Sequence, residues 1–151
     1  MIFAACLQKS LRPWDLAVRA YNIVYNEEIM KVLITGATSF IGYNLAEYII
    51  SQGDEVYAFI RPTSKNKDKI INSPNYHKIE LDVEALTGEE VLDIGSIDVC
   101  IHLAWDGVGA KGRMDAAIQE SNINASLNLA KLVKKYNCKR FIFAGSQAEY
   151  G

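Results

Sequence analysis

The residues of this sequence best placed to do chemistry stand in one turn, Thr35-Gly36-Ala37-Thr38-Ser39-Phe40-Ile41-Gly42. Before it runs a short β-branched segment, Lys31 to Thr35. After it Ile41, Leu45, Tyr48 and Ile49 recur at helical spacing. A strand that turns sharply into a helix leaves the helix's first amides without partners and points the positive end of its dipole past the strand end. Such a turn holds an anion, and a pyrophosphate suits it well. Gly36 permits the tight turn, and Gly42 lets the helix pack close to the sheet. A turn of the same shape without a ligand is the weaker reading, because strand and helix signals flank the glycines in the order that binding needs. Elsewhere the reactive side chains read as structure. His102 lies in an apolar run and is better read as a satisfied core histidine than as an acid or base. Cys6, Cys100 and Cys138 are far apart and lack metal-ligand spacing.

The elements that must position this turn follow from the rest of the pattern. Gly53 stands where the C-cap of the first helix belongs, and Glu55 to Ile60 reads as the second strand. Arg61 to Tyr76 is polar, with two prolines and several lysines, and reads as a surface connection. His77 to Leu81 is the third strand. Thr87 to Leu92 reads as a short helix, Thr87 capping it and Glu90 closing a capping box. Val99 to Ala104 is the fourth strand, and Arg140 to Ala144 the fifth. Between them Asp115 to Tyr136 is the longest helix, with Ile118, Asn122, Ala125, Leu129, Leu132, Val133 and Tyr136 on one face. Strands separated by helices pair in parallel through right-handed crossovers. The expected fold is therefore α/β, a Rossmann-type open parallel sheet of about five strands in order 3-2-1-4-5 with helices on both faces. Ligands bind such a sheet at the carboxyl ends of the strands where the order reverses, here between strands one and four.

Composition narrows the partners. A net charge of −2 gives no electrostatic reason to expect nucleic acid or an anionic membrane. No apolar run approaches the roughly 18 residues of a membrane helix. Three cysteines without a pairing pattern fit a reducing, cytoplasmic setting. Residues 1–29 form an N-terminal extension with two readings. Leu16, Ala17, Ala20, Tyr21 and Val24 recur at helical spacing, which fits a short amphipathic helix. Met30, placed directly before the first strand, fits a natural start, and the sequence favours that second reading. Residues 30–151 then form the domain.

The segment Ile34 to Gly42 resembles the fingerprint of the extended short-chain dehydrogenases/reductases, the NAD(P)-dependent sugar-nucleotide epimerase/dehydratase family. That fingerprint usually reads Thr-Gly-x-x-Gly-Phe-Ile-Gly. The resemblance implies NAD or NADP held by Gly36, Thr38, Ser39, Phe40, Ile41 and Gly42. Ser39 replaces the family's middle glycine, and there it either donates a hydrogen bond to a phosphate or loosens the grip on it. Leu81-Asp82-Val83 is similar to the segment where the family's aspartate meets the adenine amino group, which assigns Asp82 and Val83 to the cofactor. On its own Asp82 reads better as a helix N-cap or turn residue. Ile101-His102-Leu103-Ala104-Trp105 is similar to the family's His-Leu-Ala-Ala, which puts Leu103 and Ala104 beside the cofactor. Asn122 to Leu129 is similar to the family's helix-four motif, and Asn122 there reads as a structural tether. Many NAD-binding members carry an acidic residue at the end of strand two. Ala58-Phe59-Ile60-Arg61-Pro62 has none, and Arg61 pairing with a 2′-phosphate tilts the choice slightly toward NADP. A surface arginine in a polar loop is the equal alternative.

Phe143 to Gly151 is similar to the family's Ser-Ser-x-x-x-Tyr-Gly segment and aligns Ser146 with the catalytic Ser/Thr that hydrogen-bonds the substrate's reacting oxygen. Gln147 and Ala148 replace the Asp-Glu pair of dehydratases, and an amide and a methyl transfer no protons as acid and base. The resemblance thus points to epimerisation or keto reduction of a nucleotide-sugar. No tyrosine here has a lysine four positions on, so the family's Tyr-x-x-x-Lys base is not in this chain. The resemblance covers Met30 to Gly151 and stops before the later strands and the substrate domain. The chain therefore reads as the dinucleotide-binding portion of an NAD(P)-dependent nucleotide-sugar epimerase or reductase, inactive alone. The alternatives are a catalytically inactive NAD(P)-binding module and a non-functional product of a shortened gene. Phe141, Ile142 and Phe143 fall on a sheet edge, so self-association, or cover by residues 1–29, is expected.

Overall fold

A computed structural model of the chain describes residues 29–145. The elements run β1 (Lys31–Thr35), α1 (Phe40–Ser51), β2 (Glu55–Ile60), β3 (Tyr76–Glu80), a single 3₁₀ turn (Val83–Ala85), β4 (Val99–His102), α2 (Ala110–Arg113), α3 (Ala116–Lys135) and β5 (Arg140–Phe143). All five strands pair in parallel, in the order β3-β2-β1-β4-β5. This is the Rossmann-type sheet expected from the pattern, and its order reverses between β1 and β4. The helix signal around Leu16 to Val24 lies outside the described residues.

Alternation along the central strand divides the core into two layers. Val32 and Ile34 of β1 face α1 and pack with Ala46, Ile49, Val56, Ala58 and Ile60. Leu33 faces the other way, against Ala125, Leu129, Leu132 and Val133 of α3, with Tyr57, Phe59 and Cys100 in the same layer. Burial pushes the Cys100 thiol far above its ordinary pKa, which keeps it protonated and inert. Asp98 ties the entry to the sheet. Its carboxylate accepts from the Lys31 amide at 2.9 Å and the Lys139 ammonium at 2.8 Å, and these partners hold its pKa below the usual carboxylate range.

The structure corrects the sequence reading in several places, and β5 ends at Phe143, one residue before the expected Ala144. Thr87 to Leu92 is not helical. Gly88 takes φ +85°, which breaks any helical run at its second residue. The capping-box groups do meet, but they close a loop: the Glu90 carboxylate accepts from the Thr87 amide, the Thr87 hydroxyl and the Gly88 amide. β4 stops at His102 instead of Ala104: the Leu103 amide is shared between the Thr35 carbonyl and the Thr35 hydroxyl, and the Ala104 amide turns to the hydroxyl. β3 sits one residue earlier than the pattern placed it. α3 begins at Ala116 under an Asp115 cap and buries Asn122, Ala125, Leu129, Leu132 and Val133.

Candidate functional site

At the carboxyl ends of the strands the first turn is built as a cradle. Gly36 adopts φ +69°, and a Cβ there would lie 3.0 Å from the Ala104 nitrogen. Gly42 packs against the same turn: its Cβ would sit 2.3 Å from the Gly36 carbonyl oxygen, so only glycine fits. Ser39 is the N-cap of α1, its hydroxyl oxygen accepting from the Gly42 amide at 3.0 Å. Sequence reasoning weighed Ser39 only as a phosphate contact and missed the cap, although a serine at the strand-to-helix junction is the usual signal for one. The cap consumes one amide that an anion could have used and leaves the hydroxyl proton to donate. The amides of Phe40 and Ile41 have no acceptor among the described residues. They carry the anion-binding potential of this helix end.

Across the switch point the buried polar residues Thr35 and His102 meet, and a third, Asn122, joins them through its main-chain carbonyl. His102 Nδ1 lies 2.6 Å from the Thr35 hydroxyl, and Nε2 lies 2.9 Å from the Ser126 hydroxyl. Ser126 gives its single proton to the Asn122 carbonyl at 2.8 Å. Toward His102 it can therefore only accept, which puts the ring proton on Nε2. Nδ1 is then bare and accepts from the Thr35 hydroxyl. The Thr35 oxygen in turn accepts the amides of Leu103 at 3.2 Å and Ala104 at 3.1 Å. Desolvation lowers the His102 pKa to about 4, so the ring is neutral near pH 7. The histidine is satisfied core, as its apolar run implied.

Between these two features opens a cleft of about 460 Å³. That is within the roughly 300–1,000 Å³ of small-molecule sites. Of the sequence-predicted residues, Gly36, Thr38, Ser39, Arg61, Asp82, Val83, Leu103 and Ala104 line it. Phe40 and Ile41 do not; their side chains are exposed, and their amides are without an acceptor among the described residues. Gly42 is buried beneath the turn. Asp82 caps the 3₁₀ turn, accepting from the Glu84 amide at 3.1 Å, so its N-cap reading holds, while it also lines the cleft. Arg61 reaches the Glu84 carboxylate at 3.5 Å across the cleft's mouth. Both side chains are exposed, so this pair contributes little to stability. Ser146, the candidate catalytic residue, lies outside the described residues.

Several lining residues escaped the sequence reading. Thr63, Ser64, Lys65 and Asn66 form the wall beside Arg61, and the Ser64 hydroxyl is 3.4 Å from that of Thr38. Their signal was the polar run directly after a strand that ends at the ligand edge. Trp105 and Asp106 complete the opposite wall. Two amides of α3 hold them. Asn122 accepts from the Asp106 amide at 2.9 Å and donates to its carbonyl at 3.0 Å, the tether its position implied. Gln119 accepts from the Trp105 indole at 3.1 Å and donates to the Gly112 carbonyl at 2.9 Å. Among the described residues no cluster of His, Cys, Asp and Glu could hold a metal ion, and no helix is long and apolar enough to cross a membrane.

A parallel sheet in this order, with a glycine cradle at its switch point, defines a Rossmann-type nucleotide-binding domain. The chain belongs to the NAD dependent epimerase/dehydratase family, whose model matches residues 32–151. It is 28% identical to a UDP-glucose 4-epimerase of Caenorhabditis elegans, a match covering 81% of this chain and 39% of that protein. It is 31% identical to a D-erythronate dehydrogenase of Haemophilus influenzae, with the same two shares covered. Among solved structures it resembles a UDP-N-acetylglucosamine 4-epimerase from Methanobrevibacter ruminantium in complex with UDP-N-acetylmuramic acid. That match has a TM-score of 0.66 at 27% identity and covers 82% of this chain and 40% of the other. The chain thus spans about two fifths of the length of the curated relatives it matches.

Proposed function

We propose that this chain is the dinucleotide-binding portion of a nucleotide-sugar epimerase or reductase, and that hydride transfer at a sugar carbon takes place in the full-length parent. The carrying observation is the cradle itself: Gly36 and Gly42 let the turn fold tightly against the Leu103–Ala104 peptide and against α1, and the Phe40 and Ile41 amides await an acceptor. Bound there, the cofactor supplies the hydride acceptor and donor. The chain's own residues hold it. The α1 end binds the pyrophosphate, Asp82 and Val83 flank the adenine, and Leu103 and Ala104 border the nicotinamide half. Ser146 hydrogen-bonds the substrate oxygen in this reading. Gln147 and Ala148, in place of an acid–base pair, favour epimerisation or keto reduction over dehydration. The free thiols Cys100 and Cys138 support a cytoplasmic setting.

Arg61 supports a slight preference for NADP over NAD, since β2 ends without a carboxylate and the guanidinium stands at the cleft's mouth. A 2′-phosphate there would have to displace Glu84 from Arg61. Titration calorimetry with both cofactors, on the wild type and Arg61→Ala, tests the reading. Binding of either dinucleotide at micromolar concentration is the expected result. Tighter binding of NAD than NADP would reject the preference, and no binding of either would reject the function.

A second reading rests on one observation, that no tyrosine in the chain is followed by lysine four positions later. On it the chain alone is a catalytically inactive NAD(P)-binding module. Steady-state hydride transfer to a nucleotide-sugar by the purified chain, abolished by Ser146→Ala, would exclude this second reading.

A further inference from the structure

Thr35, His102 and Asn122 are the buried polar residues of the described core, at 0%, 2% and 4% exposure. Buried polar groups add little net stability even when paired, so a buried threonine and a buried histidine joined in one chain of hydrogen bonds call for a reason beyond the fold. Their location supplies it. The chain starts at the Asn122 carbonyl on α3, passes through Ser126 and His102, and ends on the Thr35 hydroxyl, which takes the amides of both Leu103 and Ala104. That peptide is the one against which Gly36 packs, its Leu103 carbonyl carbon 3.0 Å from where a Gly36 Cβ would stand. The order of protons allows one direction only, because each hydroxyl has a single proton to give.

We propose that His102 is a positioning residue for the dinucleotide. As the neutral Nε2–H tautomer it fixes the Thr35 hydroxyl, and Thr35 then clamps the Leu103–Ala104 peptide against the Gly36 turn so that the floor of the crevice is set before ligand arrives. The inference rests on the cofactor reading above. It assigns to His102 no proton transfer and no ligand contact of its own. Its two ring nitrogens are both engaged within the protein, so it acts through Thr35. The chain also explains why the Leu103 and Ala104 amides offer nothing to the pyrophosphate, which is left to α1.

Ser126 makes the idea testable, since it does not line the cleft. Ser126 touches two residues that do, His102 through its ring and Asn122 through its main-chain carbonyl, so an effect of Ser126 on the cofactor counts for His102 only where the His102 spectrum moves with it. The experiment is calorimetric titration of NAD into wild type, Ser126→Ala, Thr35→Val and Thr35→Ser, with ¹⁵N spectra of His102 and amide exchange at Leu103 and Ala104 recorded on each. Expected in the wild type are the Nε2–H tautomer, slow exchange at both amides and NAD binding. Thr35→Val should bind NAD at least tenfold more weakly and lose protection at Ala104, whose amide has the hydroxyl as its acceptor, whereas Thr35→Ser, which keeps the hydroxyl, should stay within about threefold of wild type. Ser126→Ala should disturb the His102 spectrum and weaken NAD several-fold. If Thr35→Val fails to fold, the comparison of Ser126→Ala with wild type carries the test. NAD affinity unchanged in Ser126→Ala despite an altered His102 spectrum would overturn the positioning role, as would an Nδ1–H tautomer in the wild type. A wild type that shows the tautomer and the protected amides but binds no dinucleotide would instead overturn the cofactor reading, and the positioning role with it.

Discussion

Gly42 lies directly under Gly36: a Cβ on Gly42 would stand 2.3 Å from the Gly36 carbonyl oxygen and 2.9 Å from Ala37 Cα. Both neighbours are backbone, so no side chain can swing aside. Gly42→Ala should therefore cost about 3 kcal/mol of stability, at the upper end of overpacking effects. Gly53 is the control. It has open space around it, but its φ is +96°, and Gly53→Ala should cost only about 1 kcal/mol for left-handed backbone. Urea denaturation of both variants checks the contrast. Equal losses would show that crowding at the turn is not what demands Gly42.

Ser39 sets stability against binding. Its oxygen occupies the Gly42 amide, one of the donors at the N-terminus of α1. Ser39→Gly restores the family's usual residue and frees that amide. The expected cost is a few tenths of a kcal/mol in stability, the ordinary difference between a serine and a glycine cap. NAD affinity should rise on the order of threefold. A fall in affinity would mean that the Ser39 hydroxyl itself donates to the phosphate.

The neutral His102 also predicts a pH dependence of folding. Its pKa falls from the ordinary 6.5 to about 4 in the folded chain. Between those values the unfolded chain takes up a proton that the folded chain refuses. Stability is thus complete above pH 6.5 and declines as pH falls toward 4, by up to ~3 kcal/mol. The Asp98 carboxylate, whose pKa is lowered by its lysine partners, loses its contribution in more acid solution, below its ordinary 3.8. Denaturation midpoints measured from pH 7 to pH 4 should slope downward in the wild type and much less in His102→Gln. A flat wild-type profile would contradict the buried neutral ring.

On β5, Phe141, Ile142 and Phe143 are 39%, 48% and 43% exposed, and among the described residues no strand pairs with its outer edge. Long apolar edges invite pairing with a second chain. Sedimentation of the purified chain should show concentration-dependent association that Ile142→Lys weakens. A monomer at all concentrations would remove the expectation.

The strand order, the two long helices and the cradle were legible because each has a local signal: alternation, helical spacing, a glycine pair at a junction. β2 falls where the pattern put it, and α3 lies one residue inside each end of the expected Asp115 to Tyr136, with Asp115 as its cap. The errors have a common cause. Thr87 and Glu90 carry a real capping-box spacing, but Gly88 sits against Asn128 and Lys131 of α3, a contact far away in sequence. Likewise nothing near Thr35 announces that its hydroxyl will accept two amides from beyond β4. His102 could be read as core, yet its partners Thr35 and Ser126 come from two other elements. The cleft wall at Thr63 to Asn66 has no periodicity, and only its place after β2 marks it.

β1 joins its neighbours on very different scales. On one side it meets β2, separated only by α1; on the other it meets β4, and the Thr35–His102 bond closes a span of 67 residues. Loops of that length form late, because their closure entropy must be met before any contact rewards it. The half of the sheet made by β1, β2 and β3 can thus assemble while the chain is still being synthesised, with the glycine turn already in shape. The crevice exists only once β4 has emerged and docked. A nascent chain stalled before Val99 would carry a fingerprint that matches its relatives and yet have no floor on which to hold a dinucleotide.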